Sequence, residues 1–217
     1  MTERPIIFSA PMVRAILAGE KSQTRRIVKP QPEITGEHPQ WRDEKLPLWR
    51  RRDQFERDCC PYGSVGDLLW VREAWRTGDQ LGAHSGSKIQ AMAEECGYYK
   101  HGGLNPCCPI YYEADGHHRA WGDNDEADFG VLGRYRHGRF MPRWASRITL
   151  EITGIRVERL NDITEADARA EGCVAHDSAR REFAHLWSTI HAADGPNGWE
   201  ANPWVWVIEF KRVKEAK

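Results

Sequence analysis

The chain has almost no charge excess: 31 lysines and arginines against 32 aspartates and glutamates leave a net charge of -1 over 217 residues. That balance excludes a global polycation that grips long nucleic acid nonspecifically, so any nucleic-acid contact must be a local patch. Long apolar runs are also missing; none approaches the length of a membrane-spanning helix, and no membrane partner is expected. The opening Met-Thr-Glu-Arg-Pro has no apolar leader, which implies a cytoplasmic protein with reduced thiols. There is no glycine-rich phosphate loop, no Gly-x-Ser-x-Gly elbow and no His-Glu-x-x-His helix. The Gly63 to Gly66 pair is too short for a phosphate loop and has no lysine.

The residues that are plentiful include 6 cysteines and 10 tryptophans. Structural zinc sites usually space their cysteines as Cys-x-x-Cys, whereas Cys59-Cys60 and Cys107-Cys108 are adjacent and cannot easily both turn to one ion. Neither a metal nor a cofactor is therefore expected, despite Cys96, Cys173, His84, His101, His117, His118 and His137. The tryptophans, with many arginines, match the composition of surfaces that stack on bases, although core filling is the default use of the residue.

The periodicities point to an α+β chain. Pro5 to Ala10 reads as a short strand, and Met12, Val13, Ile16 and Leu17 recur at helical spacing, with Ser9 and Pro11 at the helix entry. Residues 29–62 form a proline- and charge-rich loop excursion with no sustained period. Leu68 to Trp75 reads as a largely buried strand in which Glu73 stands out. Residues 76–139 form an irregular insertion in which only Ile110 to Ala114 has strand character, with an acidic run from Asp123 to Asp128. Ile148, Leu150 and Ile152 alternate with polar residues, and Gly154 predicts a bulge or sharp bend. Bent strands of this kind suit a small β-barrel. Thr164-Glu165-Ala166-Asp167 has the form of a capping box for a helix ending near Gly172. A second helix runs from about Ser178, with Phe183, Leu186, Trp187 and Ile190 on one face. Trp204 to Phe210 is apolar on both faces and closes the chain as a strand. The whole reads as one domain, 1–217.

The stretch Ile16-Leu17-Ala18-Gly19-Glu20-Lys21-Ser22-Gln23-Thr24-Arg25-Arg26 has the composition of a site. Lys21 and Thr24 can meet on a helical turn or in a tight loop, setting an ammonium beside a hydroxyl. Arg25 and Arg26 suit phosphate or carboxylate. The plainer reading makes Gly19 a helix C-cap and the cations a complement to the helix dipole. Glu171 stands at the last turn of its own helix, electrostatically the wrong end for a carboxylate. Arg143 and Arg147 flank a strand start around Trp144.

This run resembles the signature of ASCH domains in the PUA-like superfamily, and especially the small bacterial N4-acetylcytidine amidohydrolases. Ile163-Thr164-Glu165 followed by Glu171 is similar to the segment carrying their catalytic glutamate, and Val207-Ile208-Glu209-Phe210-Lys211 to their final strand. Whole-length similarity is to prophage-borne ASCH-like proteins, through Met141-Pro142-Arg143-Trp144-Ala145-Ser146-Arg147 and Asn202-Pro203-Trp204-Val205-Trp206. The resemblance implies a PUA-like small β-barrel with rim helices and a large irregular insertion. It implies a hydrolase of a modified nucleoside or base, most simply an N4-acylated cytidine. Lys21 would be the base, Thr24 the nucleophile and Glu171 the proton shuttle. The alternative is a noncatalytic or RNA-cleaving module, phage-associated, in which Arg25, Arg26, Arg143 and Arg147 hold single-stranded RNA and Trp144 stacks a base. No feature specifies an oligomeric state.

Overall fold

The structure, a computed structural model, describes residues 1–35, 38–42, 49–95, 110–116, 133–175, 177–191 and 195–213. Cys96, Cys107, Cys108, His101, His117, His118 and the acidic run 123–128 lie outside the described residues.

In chain order the elements are β1 (Glu3–Ile7), α1 (Ala10–Ala18), β2 (Gln23–Ile27), β3 (Glu33–Thr35), β4 (His38–Arg42), β5 (Trp49–Arg50), α2 (Arg52–Asp58), β6 (Leu68–Arg72) and β7 (Trp75–Thr77). They continue with α3 (Gly86–Glu95), β8 (Ile110–Tyr112), β9 (Thr149–Arg159), α4 (Glu165–Ala170), α5 (Ala179–Ile190) and β10 (Trp204–Val213). The fold is α+β. Five strands form a sheet in the order β1-β6-β9-β10-β2. Among the described residues β1 and β2 are its two edges, and no strand pairing closes it into the expected barrel.

The chain divides into two compact units. The first holds Met1–Arg4, Ala15–Leu69 and Leu150–Lys217; the second holds Pro5–Arg14 and Trp70–Thr149.

In the first unit α4 and α5 cover one face of β10, where Val205 and Val207 pack with Leu160, Ile163, Phe183 and Trp187. The other face carries Trp206, which stacks on Phe55 of α2 at 5.0 Å. β10 is therefore apolar on both faces because both are covered. The excursion is more regular than its composition predicts: β3, β4 and β5 pair in a three-stranded sheet. Strands of two to five residues are too short to show a period. β9 runs unbroken through Gly154, but its buried positions switch from Leu150 and Ile152 to Val157. A Cβ at Gly154 would come within 2.7 Å of Glu209 Oε2, the end of a half-exposed side chain. The two helix caps form as expected: Thr164 and Asp167 close a capping box, and the Ser178 side chain accepts from Arg181 N. Ile190, expected on the buried face of α5, is instead exposed at the helix end.

In the second unit β7 and β8 pair antiparallel, Trp75 opposite Tyr112 and Thr77 opposite Ile110. Trp75, Ile110, Tyr112, Met141 and Ala145 form its core. α3 falls where only irregular chain was expected; among its described side chains the buried apolar anchor is Ile89, too little to mark a helical face.

Candidate functional site

α1 ends at Gly19, whose φ of +80° lets the chain turn as Glu20 N and Lys21 N both donate to Ala15 O. The C-cap reading of Gly19 is thus correct. The segment from Lys21 onward is neither a helical turn nor a tight loop. Lys21 forms an isolated antiparallel bridge with Glu171, and β2 begins at Gln23. Ser22 N donates to Ala170 O at 2.8 Å, so the start of β2 is stitched to the C-terminal end of α4.

That stitch sets Lys21 on Glu171. Lys21 Nζ donates to Glu171 Oε2 at 2.7 Å and to the Glu171 carbonyl at 2.7 Å. The lysine side chain is 0% exposed and the glutamate 4%. Gly172, at φ +89°, makes the approach possible; a Cβ there would lie 3.1 Å from Ala15 Cβ and 3.3 Å from Lys21 Cβ. Burial pulls the Lys21 pKa below its ordinary value, attraction to Glu171 restores only part, and Arg26 pushes the same way as burial.

The pair belongs to a larger ionic network. Arg25 donates to Glu171 Oε1 at 3.2 Å and to Glu158, and lies 3.7 Å from Asp167 Oδ2. Gln23 reaches Asp167 Oδ1 at 3.3 Å. Arg156 ties Glu158 at 3.0 Å, Asp167 at 2.9 Å, and Glu209. Three cations thus meet four carboxylates. Burial works against ionising Asp167, but Thr164, Arg25 and Gln23 together hold its carboxyl below the ordinary range. Sequence reasoning missed Gln23, Arg156, Glu158, Asp167 and Glu209 as members. Only Asp167 carried a local signal, as the third residue of the capping box.

Thr24 does not join them. In the β10 register Arg25 stands opposite Val207 and Thr24 opposite Ile208. Residues opposed across an antiparallel pair share a face, and neighbours along a strand alternate. Arg25 therefore faces α4 and α5, as its place 5.8 Å over the Phe183 ring requires. Thr24 and Arg26 face the other way, the side of Ile208 and Trp206. Three extended residues also separate Lys21 from Thr24 by about 10 Å along the backbone.

The other expected binding residues are in the second unit, and two are occupied. Arg147 grips Glu73 through Nε at 3.0 Å and a second nitrogen at 3.1 Å, and holds both Asp115 oxygens at 2.8 Å. Its guanidinium lies 3.9 Å over the Tyr112 ring. Glu73, the polar outlier of its apolar run, is the anchor of this arginine; burial raises its pKa and Arg147 pulls it back. Trp144 is half-buried and packs edge-on against Trp75 at 6.1 Å, a core contact rather than an open stacking face. Arg143 is exposed and donates to Thr149 Oγ1 at 3.3 Å.

Two buried thiols are disfavoured as thiolates. Cys60 and Cys173 are buried, and burial raises them to about 11 and about 12 respectively. Among the described residues no three His, Cys, Asp or Glu side chains gather as a metal site, and no helix is long and apolar enough to cross a membrane.

No protein-family model, curated protein or solved structure matches the chain.

Proposed function

We propose that the chain is a hydrolase of an amide-bearing modified nucleoside or base, most simply an N4-acylated cytidine, on a PUA-like framework of the ASCH kind. The observation that carries the reading is the Lys21–Glu171 pair, a covered lysine of lowered pKa held 2.7 Å from a carboxylate. The resemblance of residues 16–26 to the ASCH signature supplies the substrate class.

In this reading the deprotonated form of Lys21, which burial makes easier to reach, takes a proton from a water molecule, and the water oxygen adds to the amide carbonyl. When the tetrahedral adduct collapses the C–N bond breaks, and the proton returns to the departing amine from Lys21, with Glu171 balancing the lysine's charge. Water takes the nucleophile's role because Thr24 faces away from Lys21. Because the Lys21 side chain is 0% exposed, its surroundings must open for a substrate carbonyl to reach Nζ.

An RNA-gripping or RNA-cleaving module is disfavoured at two of its arginines. Arg25 and Arg147 are already neutralised by carboxylates, so neither is available to a phosphate.

Incubating the purified protein with N4-acetylcytidine tests the proposal. Cytidine and acetate should appear, and Lys21→Met should abolish them. No turnover of any member of a panel of N4-acylated nucleosides removes the assignment.

A further inference from the structure

In the second unit a pocket of about 710 Å³ opens among residues that the Lys21 network does not use. Its size falls in the range of small-molecule sites, about 300–1,000 Å³. Arg72, Arg134, Arg136, Arg139 and His137 line it, and among the described residues no acidic side chain does. Ser85 and Gly86 bring the N-terminus of the ten-residue helix α3 to the same wall. Unsatisfied backbone N–H groups at such an end favour an anion.

Arg136 is the telling residue. It is 7% exposed, and one nitrogen donates to the carbonyls of Leu81 at 3.0 Å and Gly82 at 3.3 Å. Its Nε is buried with no partner, and no carboxylate among the described residues pairs with it. Arg25 and Arg147 are each neutralised by carboxylates; among the described residues Arg136 has two carbonyls and the Trp75 ring, 5.2 Å away, and no carboxylate. Burial lowers its pKa, and Arg134 adds to the effect. A covered cation without a counter-ion is unfavourable, and an incoming anion removes that cost.

The same pocket carries two exposed rings, Tyr135 at 52% and Phe140 at 66% exposure. Arg76 lies over the first at 5.6 Å and Arg139 over the second at 5.7 Å. Open rings beside cations are the means by which proteins stack a flat base next to its phosphate.

We propose that this pocket binds a nucleoside phosphate, with the phosphate on Arg136 and the α3 N-terminus, Arg134 and Arg139 at the entrance, and the base on Tyr135 or Phe140. The assignment does not rest on the hydrolase reading.

Calorimetric titration of the full chain with AMP, CMP, GMP and UMP, with the parent nucleosides, with inorganic phosphate and with a short single-stranded RNA tests it. At least one mononucleotide should bind, with its nucleoside and free phosphate each roughly tenfold or more weaker, since one charge-assisted contact is worth at least that factor. Arg136→Met should abolish binding. Because that variant disturbs packing on Trp75, Arg134→Ala/Arg139→Ala, both on exposed residues, should weaken the mononucleotide roughly tenfold or more in a protein of unchanged stability. Tyr135→Ala/Phe140→Ala should weaken the nucleotide and leave phosphate unchanged. The proposal is overturned if no mononucleotide binds, if phosphate binds as tightly as the nucleotide, if the arginine double variant binds normally, or if only the RNA binds.

Discussion

Lys21 Nζ makes two 2.7 Å hydrogen bonds to one residue, to the carboxylate and to the carbonyl oxygen of Glu171. Glu171 caps the C-terminal end of α4, where carbonyls lack helical partners and a negative side chain is disfavoured by a few tenths to about 1 kcal/mol. One ammonium answers both the exposed carbonyl and the misplaced charge. Arg25 adds a second cation on the same carboxylate.

Because the pair is buried, breaking it from one side should be severe. Glu171→Leu strands Lys21 beside Arg25 and should cost about 3–5 kcal/mol in urea unfolding. Lys21→Met/Glu171→Leu should cost less than the sum of the two single changes. Additive costs would show that the two side chains are not coupled.

The two glycines near the network should respond differently to alanine. Gly172→Ala combines φ +89° with contacts of 3.1 and 3.3 Å to Ala15 and Lys21, and should lower stability by about 1–3 kcal/mol. Gly154→Ala meets Glu209 most tightly at its carboxylate, on a side chain that is 45% exposed and can swing away. The loss of its half-exposed pairing with Arg156 should cost about 1 kcal/mol or less. Thermal unfolding of both variants decides; equal losses would show that Gly172 is under no special backbone constraint.

Asp67 should give the first unit part of its acid sensitivity. Its carboxylate accepts from Thr2 N at 2.6 Å and Ser64 N at 3.1 Å, and these bonds lower its pKa from 3.8 to about 2. A carboxyl lowered by folding stabilises the native state above its unfolded pKa, and that contribution is lost as pH falls through about 2. The urea midpoint of Asp67→Asn should therefore fall less than that of wild type between about pH 5 and pH 2. Parallel curves would mean that Asp67 has no part in acid sensitivity.

Thr24 separates two hydrolytic routes. If water attacks, Thr24→Val should retain cytidine release within a few-fold, while Lys21→Met loses it. Complete loss in Thr24→Val, with the fold intact, would make Thr24 the nucleophile and require a conformation that turns it toward Lys21.

Legibility in the sequence depended on distance along the chain. The caps at Thr164 and Ser178 and the stops at Gly19 and Gly172 are local chemistry and could be read directly. The Lys21 segment was ambiguous because Lys-Ser-Gln-Thr has no apolar period, and its extended form is imposed by pairing with β10 and the α4 end. That pairing turns Thr24 away from Lys21, which spacing alone could not reveal. Glu171 is 150 residues from Lys21, and Arg147 is 74 from Glu73. Nothing local assigns such partners, so Arg147 read as a cation at a strand start or a holder of RNA. Arg136 gave no signal at all, since its distinguishing feature is the lack of a carboxylate partner among the described residues.

The hydrolase reading requires Lys21 to be held by Glu171 yet desolvated strongly enough to act as a base. NMR titration of the Lys21 side-chain Cε and Nζ resonances, assigned by comparison with Lys21→Met, measures this directly. The expected midpoint lies below 10.5, the value of an ordinary lysine, because burial outweighs the attraction of Glu171. A midpoint at or above 10.5 would mean that the ion pair wins, and Lys21 would then be a structural cation rather than a base.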